Sequence, residues 1–281
     1  MYKIIDGKQL AAKMRADLKN NVEEYKIKNG REIGLAVILV GNNSASQVYV
    51  RNKIKACEEV GIKSFAYYLP EETSESQLKE LVLSLNLDDK IDGILVQLPL
   101  PKHIKEENIL ALIPAIKDVD GFCVENVGKL SKNTPCLVSC TPNGVMKMLE
   151  YYDIPVKGKK AVVVGRSNIV GKPMAMLLIN ADATVTVCHS KTQNLKEECL
   201  SADILVSAVG KPYFITADMV KEGAVVIDVG MNRNKEGKLC GDVDFEGVKD
   251  KCSYITPVPG GVGPMTITML MYNTYVAAAR R

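Results

Sequence analysis

Residues 34–70 read GLAVILVGNNSASQVYVRNKIKACEEVGIKSFAYYLP, and this stretch decides the fold of the first half of the chain. It predicts a buried strand, a helix over 44–61 and a second strand over 64–70. A helix over about 74–85 and a strand at IDGILVQL, 91–98, continue the alternation. Strands that are apolar throughout and alternate with helices are typical of a parallel sheet covered on both faces. This half is predicted to be α/β.

A second alternating series follows Pro155 and a polar connection. Its apolar runs are AVVVG (161–165), ATVTVC (183–188), ADILVSAVG (202–210) and AVVIDVG (224–230). We therefore predict two α/β domains, one of residues 1–140 with 264–281 and one of 141–263. The helix after Pro264 is expected to pack back on the first domain.

The composition restricts the classes of protein. The 281 residues are 47% hydrophobic and 25% charged, which are ordinary globular values. The net charge of +3 is too small for the broad basic field of nonspecific nucleic-acid binding. No apolar run reaches the length of a membrane span, and MYKIIDGKQL lacks the core of a signal peptide. We expect a cytoplasmic protein that binds neither nucleic acid nor membrane.

The eight cysteines are scattered, and no C-x-x-C pair accompanies the two histidines. Reduced thiols and no metal site are predicted.

A lysine stands on the apolar face of the helix over 44–61. On a helical wheel Lys53 shares an arc with Tyr49 and Val60, while Glu58 and other charged residues lie opposite. An ammonium there must reach a cleft, be paired or lose its charge, because desolvation disfavours the charged form. Snorkelling of the stem along the core is the alternative. Tyr49 is either a ring beside the same ligand or a core tyrosine.

Polar residues also end the strand over 91–98. Gln97 lies near its carboxyl end, where α/β sheets bind ligands, and can hydrogen-bond a substrate, orient Lys53 or cap the strand. Downstream, KDVDGF places Asp118 and Asp120 in a loop before Gly121. Loop carboxylates are usually turn formers, so this signal is weak by itself.

The second series opens with a nucleotide-binding pattern. In AVVVGRSNIVGKP a strand leads to Gly165, Arg166 and Ser167, and Gly171 enters a helix. Glycines of this kind allow close backbone approach, and the helix N-terminus offers N–H groups to a pyrophosphate. Ser167 replaces the second glycine of the usual pattern.

The end of the next strand, Cys188-His189-Ser190-Lys191-Thr192, contains no acid. A site specific for NAD places Asp or Glu there, so this end, with Arg166, favours the extra phosphate of NADP. His189 is either a general base or, as we prefer, a partly buried residue beside the adenosine pocket. The loop PVPGGVGPM (257–265) is suited both to a ligand's approach and to a rigid connection.

Together these residues resemble the bacterial family of bifunctional methylenetetrahydrofolate dehydrogenase/methenyltetrahydrofolate cyclohydrolase. The resemblance covers essentially the whole chain, with the family's motifs in order. They are SQVYVRNKIKACEEVGI, DGILVQLPLP, KDVDGF, CTPNG, VVVGRSNIVGKP, CHSKT, DVGMN and PGGVGPMTI. It implies hydride transfer from methylenetetrahydrofolate to NADP and hydrolysis of the methenyl product to formyltetrahydrofolate. A folate-binding catalytic domain, a Rossmann-type NADP domain and a homodimer are implied as well.

The resemblance also implies roles for individual residues. Lys53 would serve the chemistry, Gln97 would be its hydrogen-bonding neighbour, and Asp120 would bind the pterin. Tyr49 would lie against the aminobenzoate ring, and Pro259 and Gly260 would line the folate cleft. The residues implied to hold NADP are Gly165, Arg166, Ser167, Ser190 and, near the nicotinamide, Met231.

Two other functions fit parts of the pattern. One is a dehydrogenase of an amino or hydroxy acid, which would transfer no hydride from the folate. The other is a regulator that binds dinucleotide and DNA without turnover. The near-zero net charge and the lack of a basic recognition helix argue against it.

Overall fold

The computed structural model describes residues 1–281, except for the side chain of Ala45. It contains two compact units. The six-stranded unit comprises Met1–Ala12 and Thr141–Thr266, and the three-stranded unit comprises Lys13–Cys140 and Ile267–Arg281. Each is named for its main sheet. None of the helices described here combines the length and the apolar character needed to cross a membrane.

In chain order the helices and strands are β1 (Lys3–Ile4), α1 (Gly7–Asn29), β2 (Gly34–Val40), α2 (Ser44–Val60), β3 (Lys63–Leu69), α3 (Glu75–Leu87), β4 (Gly93–Val96), α4 (Glu106–Leu110), α5 (Val124–Ser131), α6 (Cys140–Tyr151), β5 (Lys160–Val164), α7 (Gly171–Asn180), β6 (Thr184–Cys188), α8 (Leu195–Leu200), β7 (Ile204–Ser207), β8 (Ala224–Asp228), β9 (Asn232–Arg233), β10 (Leu239–Cys240), α9 (Phe245–Val248), β11 (Cys252–Ile255) and α10 (Val262–Ala279). Two short 3-10 helices, Ala217–Met219 and Lys249–Lys251, complete the set.

The three-stranded sheet has the order β3-β2-β4 and is parallel throughout. Successive residues of a strand point to opposite faces, so β2 contributes to two cores. Leu35 and Val37 belong to the cluster that includes α1, α2 and α10, whereas Ala36 and Ile38 belong to the cluster that includes α3 and α4. Burial on both faces explains why β2 is apolar at every position, and the predicted α/β class is confirmed.

Local signals determine where two of these helices begin. Asn43 precedes α2, and its side chain accepts the Ser46 N–H at 3.0 Å. Ser74 and Gln77 form a reciprocal capping box at the start of α3. Each cap satisfies N–H groups that the first turn leaves without partners.

The C-terminal helix packs on the three-stranded unit, as predicted. Met269, Leu270 and Met271 of α10 are buried in the same cluster as Leu18 and Val22 of α1. Ala277 and Ala278 of the same helix are buried as well. Because consecutive residues of a helix point in different directions, α10 is enclosed on more than one side.

The six-stranded sheet has the order β1-β11-β8-β7-β5-β6, and all its pairings are parallel. From β5 the chain proceeds to β6 on one side and then to β7 on the other. The order therefore reverses at β5, and such a reversal marks the crevice where Rossmann-type sheets bind dinucleotides.

The division of the chain differs from the predicted one at its N-terminus. We predicted residues 1–140 as part of one domain, but the first twelve belong to the six-stranded unit. Lys3 and Ile4 pair with Tyr254 and Ile255 of β11, and the Lys8 N–H donates to the carbonyl of Gly260 at 2.9 Å. Strand pairing with such distant residues overrides proximity in sequence.

A buried carboxylate closes one end of the three-stranded unit. Asp92, whose side chain is 0% exposed, accepts two hydrogen bonds from Arg31 at 2.7 and 2.9 Å. It also accepts one from Arg281 at 3.2 Å and the Gly34 N–H at 3.0 Å. The loop before β2, the start of β4 and the C-terminus are thereby joined through one side chain.

We expect Asp92→Asn to lower the free energy of unfolding by about 2–3 kcal/mol, because it removes the charge that two guanidinium groups share. Asp89→Asn is the matched control, since Asp89 also pairs with Arg281 but is 96% exposed. Its cost is expected to stay below about 1 kcal/mol. Urea denaturation of both variants measures the difference, and equal costs would contradict the role of Asp92.

Candidate active site

Lys53 lies on the face of α2 that packs toward the core. It is half-buried, as is Ile54, and Ala56 and Val60 of the same stripe are buried. The charged residues predicted to lie opposite, among them Arg51 and Glu58, are exposed. The helical wheel is therefore confirmed, and the lysine is the one charged side chain within an otherwise apolar stripe of this helix.

Gln97 holds the end of that lysine side chain. Lys53 Nζ donates to Gln97 Oε1 at 3.0 Å, while Gln97 Nε2 donates to the carbonyl of Leu98 at 2.7 Å. The second bond fixes the orientation of the amide and aims its oxygen at the lysine. Since Gln97 directly follows β4, the predicted position at a strand's carboxyl end brings the two side chains together.

Asp118 and Asp120 have different environments although they are two residues apart. Asp118 is buried, and its Oδ2 accepts the Cys123 N–H at 2.8 Å and Asn126 Nδ2 at 2.9 Å. Burial raises the pKa of Asp120 to about 6, with Asp118 adding to the rise and Lys53 opposing it. Asp118 is thus the turn former, and Asp120 is the carboxylate that shares its surroundings with Lys53.

The other residues implied to contact folate lie in different parts of the chain. Tyr49 is half-buried one turn before Lys53 on α2. Pro259 is exposed and Gly260 has a φ of 105°, and both precede α10 in the six-stranded unit. A left-handed conformation of this kind explains the glycine at position 260.

The loop after β5 leaves no room for side chains at two positions. A Cβ at Gly165 would stand 2.3 Å from the carbonyl oxygen of Ala208, which follows β7, and the φ of Gly165 is 131°. A Cβ at Gly171 would stand 2.2 Å from the carbonyl oxygen of Gly165. The backbone is thus packed tightly where the strand order reverses, as a cradle for phosphates requires.

Polar groups surround that cradle. Ser167 Oγ accepts the N–H groups of Val170 at 3.2 Å and Gly171 at 3.3 Å, at the start of α7. The serine in place of the usual second glycine therefore binds the backbone where the helix begins, at its N-cap residue Val170 and at Gly171. Arg166 and Ser190, after β5 and β6 respectively, are both exposed.

His189 closes the turn that follows β6. Its backbone N–H donates to Thr192 Oγ1 at 2.8 Å, and its Nδ1 accepts the Lys191 N–H at 3.1 Å. Because Nδ1 already accepts a backbone hydrogen bond, we interpret His189 as a structural residue of this turn rather than as a general base. Met231, the residue implied near the nicotinamide, is 42% exposed and follows β8.

The sequence did not single out Asp242, a buried carboxylate that organises the loops after β7 and β8. It accepts the N–H groups of Val209, Gly210 and Lys211 at 2.7–3.2 Å, and Asn232 Nδ2 at 2.9 Å. Asp228, whose pKa is raised to about 6 chiefly by burial, accepts the Gly230 and Asp242 N–H groups.

A signal for these two carboxylates was present in the glycines beside them. A Cβ at Gly230 would stand 2.3 Å from Asp242 Oδ1, and one at Gly241 would stand 1.8 Å from Asp228 Oδ2. Glycines next to aspartates at strand ends thus indicated closely packed carboxylates.

The fold and the site define a dinucleotide-dependent α/β enzyme with a second, lysine-bearing unit. Family models confirm this class. The tetrahydrofolate dehydrogenase/cyclohydrolase catalytic domain matches residues 5–120, and the family's NAD(P)-binding domain matches residues 139–281. The chain belongs to the tetrahydrofolate dehydrogenase/cyclohydrolase family.

Similar proteins cover the chain from end to end. The bifunctional protein FolD of Campylobacter concisus is 61% identical over 276 residues, which are 98% of this chain and 97% of that protein. The crystal structure of FolD from Campylobacter jejuni has a TM-score of 0.98 and 52% identity, with both chains covered completely. A Trypanosoma brucei FolD structure with NADP cofactor and inhibitor has a TM-score of 0.95 and 39% identity, covering 99% and 98%.

These findings confirm the predicted function. The chain is a methylenetetrahydrofolate dehydrogenase and methenyltetrahydrofolate cyclohydrolase of one-carbon folate metabolism, with an NAD(P)-binding domain. The acid dehydrogenase and the DNA-binding regulator are thereby set aside.

Proposed function

We propose that the dehydrogenase uses NADP and that the cyclohydrolase step depends on Lys53, with Gln97 and Asp120 as its partners. The observation that carries this proposal is the hydrogen bond of 3.0 Å from Lys53 Nζ to Gln97 Oε1. A lysine held by a neutral amide, on an apolar helix face and beside a half-buried carboxylate, is arranged for proton transfer rather than for a surface ion pair.

The amide partner suits a group that gains and loses a proton. Both the ammonium and the neutral amine of Lys53 carry N–H donors, so Gln97 Oε1 can hold Nζ in either state. A carboxylate in place of Gln97 would favour the charged form. Loss of hydride from the substrate creates a cation, which a permanently charged lysine would oppose.

Hydrolysis then needs a base and an acid at the same place. Water adds to the methenyl carbon, and the neutral amine of Lys53 takes a proton from that water. The resulting neutral adduct carries a hydroxyl on this carbon. The bond from this carbon to one of the two folate nitrogens then breaks, and that nitrogen receives the proton held by Lys53, while the hydroxyl becomes the formyl C=O and releases its own proton to solvent. The product is formyltetrahydrofolate.

Asp120 is proposed to bind the pterin. An ionised carboxylate can accept hydrogen bonds from adjacent N–H donors of the pterin and so fix the face that the substrate presents. Tyr49 is proposed to lie against the aminobenzoate ring, and Pro259 and Gly260 to line the folate cleft, as the resemblance implies.

The backbone around Gly165 fits a dinucleotide, because Gly165 and Gly171 let the loop after β5 pack closely against the start of α7, where a helix N-terminus offers N–H groups to a phosphate. NADP, when bound, accepts the hydride of the dehydrogenase step. Gly165, Ser167 and Met231 are proposed to hold the cofactor. Arg166 and Ser190 are proposed to recognise its extra phosphate, since no acid follows β6 to repel it.

A spectrophotometric assay with methylenetetrahydrofolate tests the proposal. We expect rapid reduction of NADP, much slower reduction of NAD, and decay of the methenyl product by hydrolysis. Equal rates with NAD and NADP would contradict the cofactor assignment. Accumulation of methenyl product without decay would contradict the hydrolytic role.

The raised pKa of Asp120 leads to a pH prediction. Below pH 6 the carboxyl is protonated, and above pH 6 it is ionised and able to accept the pterin donors. We therefore expect kcat/KM for methylenetetrahydrofolate to rise between pH 5 and 7, since this ratio reports the free enzyme. In Asp120→Asn that rise is expected to disappear, and its persistence would assign the titration to another group.

We also propose that the enzyme is a cytoplasmic homodimer, which the family resemblance supports. Sedimentation of the 30.7-kDa chain separates the two oligomeric states, because a dimer has twice that mass.

A further inference from the structure

The direction of the Asp120 carboxylate depends on its backbone. Among the residues that the structure describes, none donates a hydrogen bond to this carboxylate. The charged and titratable groups that act on it are Lys53 of α2, the neighbouring Asp118 and the thiol of Cys140. With no such donor on its oxygens, the carboxylate is placed by the backbone that carries it, and that backbone is held by the contacts of the neighbouring peptide groups.

The peptide before Asp120 is held by a residue of the C-terminal helix. Asn273 of α10 is buried, and its Nδ2 donates to the carbonyl of Val119 at 2.8 Å. The thiol of Cys140 lies 3.3 Å from the same carbonyl oxygen. Two side chains from distant parts of the sequence thus meet on the carbonyl that directly precedes Asp120.

The same amide also holds the segment against which the following residue packs. Asn273 Nδ2 donates to the carbonyl of Val138 at 2.8 Å. Gly121 has a φ of 71°, and a Cβ there would stand 2.7 Å from the Val138 carbonyl carbon and 2.6 Å from the Ser139 nitrogen. One NH₂ group therefore holds both the carbonyl before Asp120 and the segment that packs against the residue after it.

We infer that Asn273 is a positioning residue that directs the Asp120 carboxylate toward the folate substrate. The inference rests on the proposed role of Asp120 in pterin binding. Asn273 is not proposed to touch the substrate. It acts through the backbone of Val119 and through the segment that contains Val138.

The neighbouring position on the helix shows that the arrangement is specific. Thr274 is equally buried, but its hydroxyl donates to the carbonyl of Leu270, one turn earlier in the same helix. A polar residue in α10 can thus be satisfied locally. Asn273 instead satisfies both hydrogens of its amide on the loop of Asp120 and on the segment beside it.

The test compares Asn273→Leu with Thr274→Val in the full-length enzyme. Leucine keeps a similar volume but has no donor, so we expect KM for methylenetetrahydrofolate to rise about 10-fold or more. The Kd of NADP should stay within about twofold of its normal value, as for a change confined to folate positioning. Thr274→Val is expected to leave both values within about twofold.

A second readout does not depend on activity. In protein with ¹³C-labelled aspartate carboxyls, the Asp120 resonance is assigned by its absence from Asp120→Asn. We expect Asn273→Leu to lower its titration midpoint by about 0.5 pH units or more toward the ordinary value, because a released loop gains solvent. Thr274→Val should leave the midpoint unchanged.

An unchanged Asp120 titration together with unchanged folate KM in folded Asn273→Leu would overturn the inference. Equal losses of folate and NADP binding would also overturn it, since they indicate a general structural role. If Asn273→Leu does not fold, Asn273→Ser, which keeps one donor, is expected to show smaller changes in the same direction. Failure of the proposed role of Asp120 is distinguishable, because Asp120→Asn would then leave KM for methylenetetrahydrofolate unchanged whatever Asn273→Leu does.

Discussion

Lys53→Met is expected to slow hydrolysis of methenyltetrahydrofolate by about 100- to 10,000-fold, the range that general acid–base groups contribute. The side chain lies on an apolar helix face, so methionine fits there without loss of packing. NADP binding is expected to remain, because the cradle around Gly165 belongs to the other unit. Decay of the methenyl absorbance after addition of enzyme measures the effect.

Lys55→Met is the matched control for this variant. Lys55 lies on the same helix but on its exposed face, so its loss should leave hydrolysis within about twofold of the normal rate. Hydrolysis at the normal rate in Lys53→Met would refute the role of the lysine.

Arg166→Ala is expected to raise the Kd of NADP by about 10- to 100-fold, since a charge-assisted hydrogen bond contributes about 1.5–3 kcal/mol. The Kd of NAD, which lacks the extra phosphate, should change by less than about threefold. Calorimetric titration with each dinucleotide measures the two values.

Arg233→Ala provides the control, because Arg233 is an exposed arginine of the same unit. Its guanidinium donates to the carbonyl of Gly237 within its own hairpin. Neither dinucleotide should bind more weakly to this variant. Equal losses of affinity for NAD and NADP in Arg166→Ala would show that Arg166 does not recognise the extra phosphate of NADP.

The sequence predicted those site residues that stand out against the regular apolar pattern of one helix or strand. Lys53 was recognisable because α2 has a regular apolar stripe and a charge within it is an exception. Gln97 was recognisable because its strand is apolar up to that residue. Because α/β sheets bind ligands beyond the carboxyl ends of their strands, the sequence also indicated that Gln97 could orient Lys53.

Other parts depend on contacts that no local pattern records. Asn273 looks like one polar residue in an apolar helix, and its two carbonyl partners are 154 and 135 positions away. Strand β1 consists of two exposed residues, so it has no alternation to detect. Its existence follows from pairing with β11.

The pairing of Lys3 with Tyr254 has a consequence during synthesis on the ribosome. The two residues are 251 positions apart, so at about 5–20 residues per second β1 emerges on the order of tens of seconds before its partner strand. Folding of the three-stranded unit is delayed as well, because its last segment, Ile267–Arg281, is translated after the whole of the other unit. The six-stranded unit cannot be complete before β11 has emerged, and the three-stranded unit cannot be complete before Ile267–Arg281 have emerged.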